Sequence, residues 1–345
     1  MLEKFERIKF GHFPTPIEHL KNISKYLGGP NIFIKRDDCT GLATGGNKTR
    51  KLEFLIPDAI KNKAELVVTV GAVQSNHARQ TAAACTIMGL KCLIILEQRV
   101  KDPPEIYMNS GNVFLDKLFG ADIKICPKNE NFLEYYEKVI KDLKAKGTNV
   151  YFIPGGGSNS IGALGYVECL NEIIKENNKY NFSHIVHATG SSGTQAGLLA
   201  GRKYFNCNIP VIGICIRYDK TIQVDKVYTE AKKTCEKLQC KVLDKSEVVV
   251  YDEYIGPGYG EPSDSMIEAT NLLAKKEAIL LDPVYSGKGF AGLIGLIKFC
   301  WTALWTDSIG NISPALTITA LTIPFFFATL IKLLGQIIFL FDNIN

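Results

Sequence analysis

The feature that most constrains this chain is an alternation. Between residue 32 and about residue 298, short apolar runs are separated by longer stretches of helical periodicity. The runs at 32–35, 66–70, 92–96, 122–126, 150–153, 184–188, 211–215 and 280–284 have the length of strands. The stretches at 76–88, 132–146, 163–175 and 263–275 gather apolar residues on one face of a helix. Strand, helix, strand in this rhythm predicts an α/β fold with open, mostly parallel, twisted sheets flanked by helices. Ligands of such sheets bind beyond the carboxyl ends of strands, so the loops that follow strands are where chemistry is expected. At 345 residues the chain is too long for one small core and suits two packed domains.

Composition closes several alternatives. A net charge of +5 spread over this length forms no basic run, so nucleic acid is not an expected partner. Ten Cys without a CxxC read as reduced thiols of a cytoplasmic protein, not as a disulfide framework or a zinc site. His184 and His187 are the only close histidine pair; they fall on an expected strand, and no metal site is expected. The N-terminal MLEKFERIKF has no apolar core, so no secretory signal is expected.

Four glycine-rich loops, 41–47, 155–160, 189–197 and 255–260, carry small hydroxyl or amide residues. The third reads as strand, loop and helix: His184-Ile-Val-His-Ala-Thr-Gly-Ser-Ser-Gly-Thr-Gln-Ala-Gly197. Exposed amides and the dipole at a helix start make an anion site. Gly190 and Gly193 allow close backbone approach, and Ser191, Ser192 and Thr194 add hydroxyl donors. No Lys-Ser/Thr follows the glycines and the GxGxxG order is absent, so a compact monophosphate fits better than a nucleotide. That absence also weighs against a dinucleotide-dependent dehydrogenase. Lys48, in Thr44-Gly-Gly-Asn-Lys-Thr-Arg-Lys-Leu-Glu53, is the candidate nucleophilic amine. Such an amine must be partly neutral, which cationic neighbours such as Arg50 and Lys51 promote. Lys48 and Lys51 share a helix face, so one could bond a cofactor aldehyde while the other neutralises its phosphate.

Three segments, Gly45-Gly-Asn-Lys-Thr-Arg-Lys-Leu-Glu-Phe54, Gly71-Ala-Val-Gln-Ser-Asn-His77 and Asp282-Pro-Val-Tyr-Ser-Gly-Lys288, resemble the family of D-cysteine desulfhydrases and 1-aminocyclopropane-1-carboxylate deaminases. The resemblance runs from about residue 10 to residue 298. It implies the tryptophan-synthase-β type of fold and a pyridoxal 5′-phosphate cofactor bonded to Lys48. It implies that Ser75 lies beside the cofactor, that Asn76 bonds its ring hydroxyl, and that Lys51 and the Gly190–Thr194 loop take its phosphate. Tyr259, in Gly256-Pro-Gly-Tyr-Gly260, and Tyr285 match the family's two substrate-side tyrosines. The implied division is a large cofactor-binding domain of residues 1–51 and 161–298 and a small α/β domain of residues 52–160. The expected partners are a small amino-acid substrate and a second copy of the chain in a homodimer.

The expected reaction is β-elimination, with Lys48 as base and Ser75 assisting, taking D-cysteine to pyruvate, ammonia and sulfide. One residue separates the branches. Deaminases resemble Val-Tyr-Glu-Gly where this chain has Ser286, and their Glu pairs with the pyridine nitrogen. A neutral hydroxyl leaves the ring a weaker electron sink, enough to expel sulfide or sulfite but poorly suited to opening a cyclopropane. L-Cysteate sulfo-lyase and aminocyclopropane carboxylate deaminase stay open as alternatives.

Residues 299–345 break the pattern. Only Asp307, Lys332 and Asp342 are charged, both tryptophans, Trp301 and Trp305, lie here, and the family's His-Thr-Gly-Gly-like turn is missing. Three readings are open: a lost frame or diverged ending, a membrane segment belonging to an inactive relative, or a pair of buried strands. The first is preferred, and with it comes the expectation that the last strand is lost, leaving an exposed sheet edge and a poorly soluble, weakly active chain.

Overall fold

The computed structural model describes residues 2–306 and 338–342. Its strands are β1 (Ile17–His19), β2 (Ile32–Lys35), β3 (Leu66–Ala72), β4 (Lys91–Glu97), β5 (Asp122–Ile125), β6 (Val150–Ile153), β7 (Phe182–Thr189), β8 (Val211–Cys215), β9 (Val249–Tyr251) and β10 (Ile338–Asp342). Its helices are α1 (Lys21–Leu27), α2 (Lys48–Lys61), α3 (Asn76–Ile87), α4 (Glu105–Asn109), α5 (Gly111–Leu118), α6 (Phe132–Ala145), α7 (Leu164–Tyr180), α8 (Gly193–Phe205), α9 (Lys220–Leu238), α10 (Asp264–Glu277) and α11 (Ser286–Thr306).

Two sheets result, and the chain is α/β as expected. One is four-stranded, ordered β5-β4-β3-β6 and parallel throughout. The other is six-stranded, ordered β1-β2-β10-β7-β8-β9. Its β7-β8-β9 part is parallel, whereas β1-β2, β2-β10 and β10-β7 are antiparallel. The period-two alternation explains why helices cover both faces. Leu93 and Ile95 of β4 pack toward α6, while Cys92, Ile94 and Leu96 face the core shared with α2 and α3. In the larger sheet Val211 and Cys215 of β8 join α7, α8 and α9, and Ile214 joins α10 and α11. Side chains fix several helix starts: Ser75 Oγ accepts from the Ala78 amide at 3.1 Å and Asp219 Oδ1 from the Ile222 amide at 3.0 Å.

Two expectations fail. Residues 280–284 are not a strand but a turn into α11. Pro283 has no amide to give a ladder, and the Asp282 carboxylate accepts the amides of Val284, Tyr285 and Ser286 at 3.0, 2.6 and 3.0 Å. Nor is the last strand lost. β10 lies between β2 and β7, and Phe339, fully buried, packs against Phe290 of α11 with ring centroids 4.9 Å apart and planes tilted by 30°. Residues 307–337 and 343–345 of the tail lie outside the described residues. Among the described residues, no helix is long and apolar enough to cross a membrane.

Candidate active site

The carboxyl ends of β3, β4, β6, β7 and β8 open onto one cavity of about 860 Å³. Among its lining residues are Asn47, Lys48, Ser75, Asn76, Gly190, Ser191, Ser192, Thr194, Tyr259 and Tyr285. Lys51, Gly193 and Ser286, predicted with them, are not among the residues that line it.

Lys48 opens α2 and is buried. Its amine donates to Asn47 Oδ1 at 2.9 Å and lies 5.9 Å from the centre of the Tyr285 ring. Burial pushes it down to about 8, against the pull of Asp282. Lys51, one turn on, donates to the Gly156 carbonyl at 2.9 Å and to Ser158 Oγ at 3.3 Å. Burial and the Lys48 charge hold it well below the ordinary lysine range.

The start of α8 faces Lys51. The Gly193 amide donates to Ser158 Oγ at 3.1 Å, and Ser158 Oγ donates to Ser191 Oγ at 2.9 Å. A Cβ on Gly193 would lie 3.0 Å from Lys51 Nζ, and one on Gly156 2.3 Å from Ser191 Oγ, so glycine keeps this concavity open. Hydroxyls, a helix N-terminus and a buried ammonium around one hollow form a cradle for a small anion.

At the start of α3, Asn76 Oδ1 accepts from Asn112 Nδ2 at 2.9 Å and from Arg79 Nη1 at 3.3 Å. An arginine can only donate, so the amide orientation is fixed and its NH₂ end turns away from both donors. Gly71 lets Ser75 approach, since a Cβ there would fall 2.5 Å from Ser75 Oγ. His77 lines the same wall. The Thr69 hydroxyl donates to the Ile153 carbonyl, so His77 Nε2 must donate to Thr69 Oγ1, at 2.8 Å, which leaves Nδ1 as an acceptor. Burial, reinforced by Lys48 and Lys51, keeps this imidazole well below its usual range and therefore neutral.

Opposite stand Tyr259 and Tyr285, whose hydroxyls are 2.6 Å apart. Burial holds the Tyr285 phenol well above its ordinary value. Ser286 does not reach the cavity: it is 1% exposed, and its hydroxyl donates to Asp282 Oδ2 at 2.6 Å.

A neutralisable buried amine beside a small-anion cradle is the arrangement a phosphorylated aldehyde requires, and the family comparison agrees with it. The model described as pyridoxal-phosphate dependent enzyme matches residues 8–299. The chain belongs to that family. A crystal structure of an ACC deaminase homologue is 38% identical, superposes with a TM-score of 0.79, and covers 87% of this chain and 89% of that one. The residues present are compatible with the pyridoxal phosphate that the family uses: Lys48 would take its aldehyde, Lys51 and the α8 start would take its phosphate, and the Asn76 amide would face a ring oxygen. Sequence reasoning missed Arg79, Asn112 and Asp282, which orient Asn76 and brace the Tyr285 turn. It also missed Arg99 and Arg217, although both follow strand ends, the place where chemistry is expected.

Proposed function

We propose that this enzyme carries out β-elimination on a small amino acid with a sulfur leaving group on its β-carbon. D-Cysteine, giving pyruvate, ammonia and sulfide, and L-cysteate, giving sulfite instead, are the two candidates. Bound pyridoxal phosphate supplies an electron sink for the pair left at the α-carbon. The observation that carries the reading is Lys48: buried, held down to about 8, and in reach of both the cradle and the tyrosine pair. An amine that is neutral for part of its time at physiological pH can bond an aldehyde and, once displaced, take the α-proton. Ser75 Oγ accepts from the Ala78 amide, which leaves its proton for a substrate oxygen. The two phenols spend one proton on the bond between them and keep one to donate to the leaving atom.

Elimination is favoured over ring opening because, among the described residues, no carboxylate is spare beside Tyr285. Asp282 already accepts from three backbone amides and the Ser286 hydroxyl. The competing reading, aminocyclopropane carboxylate deamination, draws on the description of the 38% identical structure. Borohydride reduction followed by peptide mapping should place the cofactor on Lys48, and purified protein should release pyruvate from D-cysteine or L-cysteate. Modification of another lysine would refute the site. A higher specificity constant for 2-oxobutanoate formation from the cyclopropane would refute the reaction.

A further inference from the structure

The cradle accounts for a phosphate, and the 75–77 turn offers donors for an α-carboxylate. Two further arginines in the same cavity have no role in that inventory. Arg99 follows β4 of the four-stranded sheet, and Arg217 follows β8 of the six-stranded sheet. Coming from opposite walls, they converge on one ring: the guanidinium carbons lie 4.9 and 5.8 Å from the centre of Tyr259. That ring ends in the hydroxyl bonded to Tyr285 at 2.6 Å, and the Tyr285 ring is the one 5.9 Å from Lys48 Nζ. The two arginines therefore stand one tyrosine pair away from the reacting amine.

Both keep donors to spare. Arg99 meets Glu97 through Nε, and its two terminal nitrogens hold no hydrogen bond among the described residues. Arg217 rests on the rings of Tyr218, at 4.9 Å, and Tyr259. The other charged groups on this wall are Lys226, Asp225 and Glu230, all on α9. Stacked guanidinium groups are held in place without using up the edges that bind oxyanions.

We propose that Arg99 and Arg217 form a second anion subsite that selects amino acids carrying a sulfonate on the β-carbon. This rests on the elimination reading above and sharpens it from sulfide toward sulfite. A sulfonate offers three oxygen acceptors in tetrahedral array, matched to two convergent forks, whereas a thiol offers none that needs a cation. The reaction balances without an oxidant. Lys48 takes the α-proton, the Cβ–S bond breaks with its electron pair leaving on sulfur as sulfite, and one water completes hydrolysis to pyruvate and ammonium.

The test compares holoenzyme turnover of cysteate with that of β-chloroalanine, whose leaving group is a single atom, using both enantiomers of each. The ratio of their specificity constants should fall fivefold or more in Arg99→Gln or Arg217→Gln, fall further in the double variant, and fall less in Arg99→Lys, which keeps the charge but not the fork. Cofactor absorbance per chain reports that each variant is folded and loaded. A smaller change of the ratio in both single variants and the double variant overturns the subsite, including the case in which the arginines hold the α-carboxylate and both constants fall together. Pyruvate from chloroalanine but none from cysteate in the unaltered enzyme overturns the subsite alone. No pyruvate from either sinks the elimination reading, and the subsite with it.

Discussion

The first turn of α2 buries three cations and treats its two sides in opposite ways. On one side Arg50 is fully compensated. It donates to both oxygens of Asp37, each at 2.8 Å, and to both of Glu172, at 2.9 and 2.8 Å. Lys35 shares Glu172 at 2.6 Å, and the Tyr166 hydroxyl donates to Asp37 at 2.8 Å. On the other side Lys48 and Lys51 hydrogen-bond to an amide oxygen, a carbonyl and a hydroxyl, and among the described residues to no carboxylate. Desolvation is common to both sides; on one side hydrogen-bonded carboxylates answer it, while on the other Asp282 and Glu230 act only through space and burial prevails. Arg50 accordingly stays charged, with Asp37 and Glu172 held below their ordinary values despite burial. Both lysines fall, and the positive end of the helix dipole adds to the effect. A helix can thus be anchored by one face of its first turn while the other face is kept reactive.

That contrast can be broken from either side. Arg50→Met should do the most damage, because Asp37 and Glu172 would be left buried and under-compensated. A loss of about 3–5 kcal/mol of stability is expected, read from the urea midpoint, as for other broken buried ion pairs. An equal loss from Lys51→Met would show that the two faces do not differ. Lys51→Met should instead act on the ligand. Losing a charge-assisted hydrogen bond worth about 1.5–3 kcal/mol weakens cofactor binding by roughly ten- to a hundredfold, measurable by titrating apoenzyme. The smallest effect is on pH. Because the folded enzyme holds Lys48 down to about 8, its neutral fraction climbs through that value. Attachment of the cofactor to apoenzyme, followed by stopped-flow absorbance, should be about tenfold slower at pH 7 than at pH 9 and level above it. A rate still rising tenfold per unit through pH 9 would mean that burial does not depress this amine.

Much of this was legible in the sequence, and the failures have physical causes. β2 to β4 and β6 to β8 announce themselves as apolar runs because helices cover both faces of each sheet, whereas β5, at a sheet edge, is mostly exposed and alternates polar with apolar residues. β1 and β9 are three residues long, too short for any periodicity to register. The run at 280–284 has the composition of a strand, but Asp282 captures the amides that a ladder would need. The shared place of Lys48 and Lys51 at the start of one helix was readable from their glycine context and spacing. Ser286 was readable as a residue but not as the partner of Asp282, since a side chain four positions back competes for it. Arg79 shows the limit most clearly. A buried guanidinium is tolerated only by what surrounds it, here Asn76, Asn112 and the Gly45 carbonyl, and two of those three lie more than thirty positions away in the chain.

The place of β10 has a consequence for how the molecule is made. Its neighbours in the sheet, β2 and β7, are written within the first 189 residues, yet the strand that joins them begins at residue 338. Until that segment leaves the ribosome, β2 and β7 each present an open edge with nothing to pair. The four-stranded sheet, complete by residue 153, is under no such delay. Assembly should therefore be staggered: the smaller sheet forms during synthesis, and the larger waits on a contact spanning most of the polypeptide.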